Sequence, residues 1–121
     1  QNFSNDDSFK DNLEKGFNFY INNFFESNGF PKYYHNKKYP VDIHCPAQLF
    51  VTLSKLNEYR ANKQLAKKVL KWTILNMQHK EGYFYYQKTR FFNNKNSYMR
   101  WNNAFMFDAL SCYFKNNYMN N

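Results

Sequence analysis

Most of the residues in this chain that could do chemistry fall in two short stretches. The first, Tyr39-Pro40-Val41-Asp42-Ile43-His44-Cys45-Pro46-Ala47-Gln48, places a carboxylate and an imidazole two residues apart, with a side-chain amide following. The second, Tyr98-Met99-Arg100-Trp101-Asn102-Asn103-Ala104-Phe105-Met106, sets a guanidinium, an indole and two amides side by side. An aromatic pair precedes each stretch, Tyr33-Tyr34 in the first case and Tyr85-Tyr86 in the second. Flat rings beside Asp, Gln, Asn and Arg suit a polyhydroxylated ligand. The rings stack on its C–H faces, while amides and charges take its hydroxyls. Arg100 could hold a carboxylate through two parallel N–H bonds, which favours an acidic oligosaccharide. The candidate binding set is Tyr33, Tyr34, Asp42, His44, Gln48, Tyr85, Tyr86, Arg100, Trp101 and Asn103, with Asn102 beside them.

Each of these residues also has a plainer reading. The four tyrosines can pack loops onto helix ends, Arg100 can bridge to Asp42 or Asp108, and Trp101 lies on an apolar stripe and can serve as core. Asp42 and His44 invite comparison with a general acid–base pair. Glycosidic hydrolysis, however, asks for two carboxylates facing one bond across roughly 5–10 Å. Only Asp108 lies near the second stretch, two turns inside an expected helix. No His-x-x-x-His or Cys-x-x-Cys spacing points to zinc, and there is no phosphate-cradling glycine loop or nucleophile elbow. No catalytic residue, metal or cofactor is therefore assigned, and His35 and His79 are expected at the surface.

The elements that must position these groups are helical. Phe9, Leu13, Phe17, Tyr20, Ile21 and Phe24 recur at spacings of three and four, which predicts a helix from about Asp6 to Ser27, with Ser4 to Asp7 as cap and first-turn acids. A second helix starts at Cys45-Pro46 and carries Leu49, Phe50, Leu53 and Leu56 to about Tyr59. A third spans roughly Asn62 to His79. A fourth runs from Ser97 or Tyr98 to Asn117, burying Trp101, Phe105, Met106, Ala109, Leu110 and Tyr113. Asn28-Gly29 and Glu81-Gly82 stop the first and third helices, glycine being the usual left-handed residue past a helix end. Pro31 to Tyr34 and Tyr83 to Lys88 could form short strands, the second hairpinned onto Arg90-Phe91-Phe92. The tail after Tyr118 is expected to fray.

These helices come as two copies of one unit. Gly29-Phe30-Pro31-Lys32-Tyr33-Tyr34 is echoed by Gly82-Tyr83-Phe84-Tyr85-Tyr86, the glycines 53 residues apart, and Ala47 and Ala104 are 57 apart. Such a period marks a repeated supersecondary unit. The units run from about 6 to 59 and from 62 to 117, each a helix, a long loop, and a second helix. Both long loops then open at the same end. The expected class is all-α: two antiparallel helical hairpins in one domain.

Composition bounds the partners. The formal charge is +8, but the lysines are scattered, and phosphate binding needs clustered cations. Nucleic acid is not the expected ligand. No apolar run approaches the roughly 20 residues that span a bilayer. Two cysteines, Cys45 and Cys112, fall in expected helices and read as buried free thiols, which fits a reducing, cytoplasmic compartment.

The paired Gly-aromatic-x-x-Tyr loops, followed by Tyr98-Met99-Arg100-Trp101-Asn102-Asn103-Ala104-Phe105-Met106, resemble the repeat of the (α/α) toroids, the six-hairpin glycosidase-like proteins. The resemblance covers about Gly16 to Phe114. It implies a partial toroid, the C-terminal part of a longer protein, with a saccharide cleft built by loops at one end. It is nearest to a bacterial group found with polysaccharide-synthesis genes, some of which carry the label delta-aminolevulinic acid dehydratase. The residues do not suit that label, because the dehydratase resembles a β/α barrel and βα alternation is lacking here. Two functions follow as expectations. One is a carbohydrate-binding module, not catalytic alone. The other is a structural or protein-interaction module that docks the missing hairpins or a second copy.

Overall fold

The computed structural model describes residues 7–119. Four α-helices form the frame of the fold: α1 (Lys10–Asn23), α2 (His44–Lys55), α3 (Lys63–Met77) and α4 (Ala104–Phe114). All are shorter than the apolar spacing predicts, and Ser4 to Asp6, expected to cap the first, lie outside the described residues. A π-helical turn, Met99–Asn103, leads into α4, and another, Lys115–Met119, follows it. The most extensive helix contact is between α2 and α4. It follows from the apolar stripe of α2, where Ala47, Leu49, Phe50 and Leu53 are all buried. Against them α4 sets Met106 and Ala109, with the Tyr113 ring edge-on to Phe50 at 5.5 Å. From the other side α3 contributes Ala66, Val69, Thr73 and Met77. No residue of α1 is fully buried; Phe17, Tyr20 and Ile21 lean on the core from its C-terminal half.

The chain is not purely helical. The long loops meet in a three-stranded antiparallel sheet of order β1 (Val41–Asp42), β2 (Gln87–Lys88) and β3 (Asn93–Asn94). Val41 pairs with Lys88 and Asp42 with Gln87; Gln87 then pairs with Asn94 and Lys88 with Asn93. The hairpin thus forms a few residues later than the aromatic runs predict. Thr89 closes its turn, with both its N–H and its hydroxyl donating to the Phe92 carbonyl, at 2.8 and 2.7 Å. Around Pro31 to Tyr34 only isolated bridges form, Phe25 to Pro31 and Tyr34 to Lys37. Pairing between β1 and β2 brings both loops to one end of the helices.

The repeat is written in backbone hydrogen bonds. In the first unit Glu26 N–H donates to the Phe30 carbonyl (3.0 Å), Gly29 N–H to Glu26 (2.9 Å) and Lys32 N–H to Phe24 (2.8 Å). In the second, His79 donates to Tyr83, Gly82 to His79 and Tyr85 to Met77, all at 2.8 Å. Every partner stands 53 positions after its counterpart. The bridges Phe25 to Pro31 and Gln78 to Phe84 keep the same offset. Both glycines take positive φ, +89° at Gly29 and +97° at Gly82, as this turn requires.

Candidate functional site

The site is built where the sheet feeds into α2 and the π-helical turn feeds into α4. Asp42 closes β1 and is nearly buried, its side chain 9% exposed. Its Oδ1 accepts the His44 N–H at 2.9 Å, turning the chain into α2, and also meets His44 Nδ1 at 2.5 Å. The carboxylate thus orients the imidazole and fixes the proton on Nδ1, as a second carboxylate-to-histidine bond does in many acid–base sites. The His44 ring packs edge-on against Phe105 of α4 at 4.6 Å. Ile43, between the two, is buried, and its N–H donates to the Tyr86 carbonyl at 3.1 Å. The peptide that carries the pair is therefore tied to the second aromatic loop.

Tyr86 and Tyr98 stand perpendicular, ring centres 5.6 Å apart and planes at 89°. With Trp101 they line an open cleft of about 340 Å³. Trp101 is 62% exposed, so its ring is available to a ligand. The Asp42 carboxylate beside Tyr86, and after it partial burial, push that phenol above its ordinary range; Tyr33 adds a smaller push from the first loop. Burial pushes the Cys45 thiol up to about 12, with the Asp42 charge acting in the same direction. It is a thiol, not a thiolate, at neutral pH, and is a poor nucleophile.

Two neighbouring asparagines hold the second loop. Asn102, fully buried, donates through Nδ2 to the carbonyls of Phe84 (2.6 Å) and Asn96 (3.1 Å), and accepts the Tyr98 N–H on Oδ1 at 2.7 Å. Asn103 accepts the Phe84 N–H on Oδ1 at 3.0 Å and donates to Ser97 Oγ at 2.8 Å. Both polar groups of the Phe84 peptide are thus gripped by side chains.

The expected site residues separate accordingly. Asp42, His44, Tyr86 and Trp101 come together, and Tyr33 approaches Tyr86 from the first loop while pairing with Tyr34 at 4.8 Å. Tyr85 turns away into a second aromatic group with His79 and Tyr83, under the Lys95 ammonium. Asn102 and Asn103 support the loop instead of lining the cleft. Gln48, on α2, donates to Thr52 Oγ1 at 2.9 Å and faces grooves that α2 forms with α1 and with α4. Arg100 is exposed on the π-helical turn. The ion pairs among the described residues are Lys38–Glu26, His44–Asp42 and His79–Glu81, so the expected bridge from Arg100 to Asp42 or Asp108 does not form.

Trp101 and Phe105 are corrections to the expected core, since both are exposed. The buried stripe of the last helix instead runs Asn102, Met106 and Ala109, with Tyr113 half-buried. Asn103 N–H bonds to the Tyr98 carbonyl five residues back, a π-type bond that sets Asn102 inward and Trp101 outward. His79 is half-buried and stacks on Tyr83 at 4.5 Å, where the sequence predicts exposure. Both cysteines are half-buried. Tyr98 and Phe105 were not among the expected site residues. Tyr98 had a signal, standing at the head of the repeated Tyr-Met-Arg-Trp stretch.

No known protein family, curated protein or solved structure matches this chain. Among the described residues no group of three His, Cys, Asp or Glu is arranged to hold a metal ion. No described helix is long and apolar enough to cross a membrane.

Proposed function

We propose that this chain is a saccharide-binding helical-hairpin module acting in polysaccharide metabolism, with its ligand seated against Tyr86, Tyr98 and Trp101. The observation that carries the reading is that perpendicular tyrosine pair with an exposed indole, set beside an oriented Asp42–His44 pair. Two aromatic walls at right angles offer one face for stacking and one edge for closing over a ring-shaped ligand. The Asp42 carboxylate, which acts on Tyr86, and the imidazole bound to it are polar partners for hydroxyls next to that wall. Arg100, with no ion-pair partner among the described residues, is the candidate for a uronic carboxylate. The resemblance of the paired Gly-aromatic-x-x-Tyr loops to the (α/α)-toroid repeat supports such a cleft, on the reading that the chain is part of a longer toroid. An amide chemical-shift titration with neutral and uronic-acid oligosaccharides tests the reading. Shifts at Tyr86, Tyr98, Trp101 and His44 are expected, with at least tenfold weaker binding in Trp101→Ala at an unchanged melting temperature. A folded sample without shifts for any sugar would sink it.

A second reading has its own observation. Phe107, Phe114 and Tyr118 lie along the outer side of α4 and the turn after it, all exposed, with Phe107 at 76%. Such a stripe suits docking of another helical hairpin or a second copy. Sedimentation velocity over a hundredfold concentration range tests it: a single monomer boundary throughout counts against self-association.

A further inference from the structure

We propose that the Asp42–His44 pair is an acid–base centre that hydrolyses an acyl ester carried by a saccharide bound beside it. The proposal rests on the saccharide reading above and adds a reaction to it. Asp42 is nearly buried and engages His44 twice, at the backbone N–H and at Nδ1. A histidine needed only to fill space would not require a carboxylate on Nδ1. That bond leaves Nε2 as the working nitrogen, and no described residue hydrogen-bonds it. The ring is held from its other side by Phe105, so its orientation is fixed before any ligand arrives.

The surrounding groups narrow the reaction. Glycosidic cleavage would need a second carboxylate facing the same bond. Asp42 is already engaged by His44, and Asp108 lines the groove between α2 and α4 instead. A covalent route would need an activated nucleophile. The Cys45 thiol stays protonated, and Ser97 Oγ accepts the Asn103 amide. A base without a second carboxylate or a nucleophile can still activate water, and an acyl ester is the saccharide linkage that such a base can open alone.

The step balances without a co-reactant other than water. His44 Nε2 takes a proton from a water molecule as its oxygen attacks the ester carbonyl carbon. The tetrahedral intermediate then breaks its C–O bond to the sugar, and the Nε2 proton passes to the departing sugar oxygen. A carboxylic acid and a free sugar hydroxyl result, and the imidazole returns to its starting state. Asp42 is a positioning residue here: it holds the tautomer and stabilises the transient imidazolium.

The test uses the whole chain with 4-nitrophenyl acetate and with a partly acetylated uronic-acid oligosaccharide, following acetate by proton NMR. Acetate release is expected, at least 100-fold slower in His44→Gln, a loss typical of removing a general base. Asp42→Asn should lower the rate, move the pH profile and abolish the strongly downfield Nδ1 proton signal of His44. The titratable group in contact with the imidazole is Asp42, and Cys45 from the same segment and Tyr86 from the second loop in turn interact with Asp42. Profiles of Cys45→Ala and Tyr86→Phe should therefore keep the His44-dependent limb. Binding of the deacetylated oligosaccharide separates the possibilities. Binding without acetate release, or release unaffected by either His44→Gln or Asp42→Asn, overturns the esterase and leaves the saccharide reading standing. No binding of either form overturns both.

Discussion

Gly29 and Gly82 occupy equivalent places in the two units, yet alanine should cost far more at one than at the other. Their φ values differ by only a few degrees, so both substitutions carry the same left-handed penalty of about 1–2 kcal/mol. Part of it is returned because alanine restricts the unfolded chain, by about 0.4–1 kcal/mol. What differs is the neighbourhood. A Cβ on Gly82 would meet nothing within 4 Å. A Cβ on Gly29 would stand 2.5 Å from both the carbonyl carbon and the oxygen of Lys68, and 2.9 Å from Val69 N. These are backbone atoms of α3, beside the fully buried Val69, and the loop is pinned there by Lys68 Nζ donating to the Ser27 carbonyl at 3.0 Å. Relief requires helix and loop to part, an overpacking cost of about 1–3 kcal/mol. Gly82→Ala should thus lose about 1 kcal/mol and Gly29→Ala about 2–4. Urea denaturation of both variants, with m-values compared to establish a common transition, measures the difference. Equal losses, or a larger loss at Gly82, would show that the approach of loop to α3 is not the constraint argued here.

Asn102→Ala should cost about 2–3 kcal/mol, because it strands the buried Phe84 carbonyl and removes the bonds to the part-buried Asn96 carbonyl and Tyr98 N–H; a thermal melt lowered by about 10 °C would report it. Alkaline stability should fall from about pH 9 upward. The Cys45 thiol is raised from an ordinary 9.0 to about 12 and the Tyr59 phenol from 10.0 to about 12, burial being the main cause in each. A group whose folded value is raised lends stability below its unfolded value and loses it as pH climbs toward the folded one. Cys45→Ala should flatten that loss between pH 9 and 12 in urea melts at fixed temperature. Phe107→Ser with Phe114→Ser should change stability by less than about 1 kcal/mol, both rings being exposed, while reducing binding of a hydrophobic dye.

The helices were legible because apolar spacing near 3.6 records which faces are buried, and the glycines because positive φ restricts residue choice. The repeat was legible as well, though its reach was not. Identical hydrogen bonds 53 positions apart involve backbone groups, and only Gly29 and Gly82 betray them in the sequence. The sheet was hidden because strands of two residues carry no period to read. Trp101 and Phe105 were misplaced for a definite reason. Both flank the buried stripe, and size and apolarity alone assign large rings inward. An asparagine four residues before Met106, on the stripe itself, was the available sign that a polar group is buried there. The Asp42–His44 contact follows from their spacing across a strand-to-helix turn. The meeting of Tyr86, Tyr98 and Trp101 depends on the loop closure around Phe84 and could not be read from spacing.

The double grip on the Phe84 peptide has a consequence for motion. Asn102 and Asn103 are consecutive residues of one π-helical turn, and between them they hold the N–H and carbonyl of Phe84, the Asn96 carbonyl and the Tyr98 N–H. Undoing that turn releases all four groups together, while the indole of Trp101 rides on it. The amides of Phe84 and Tyr98 should therefore exchange with deuterium at one shared rate, as a single local opening, while those of α2 await global unfolding.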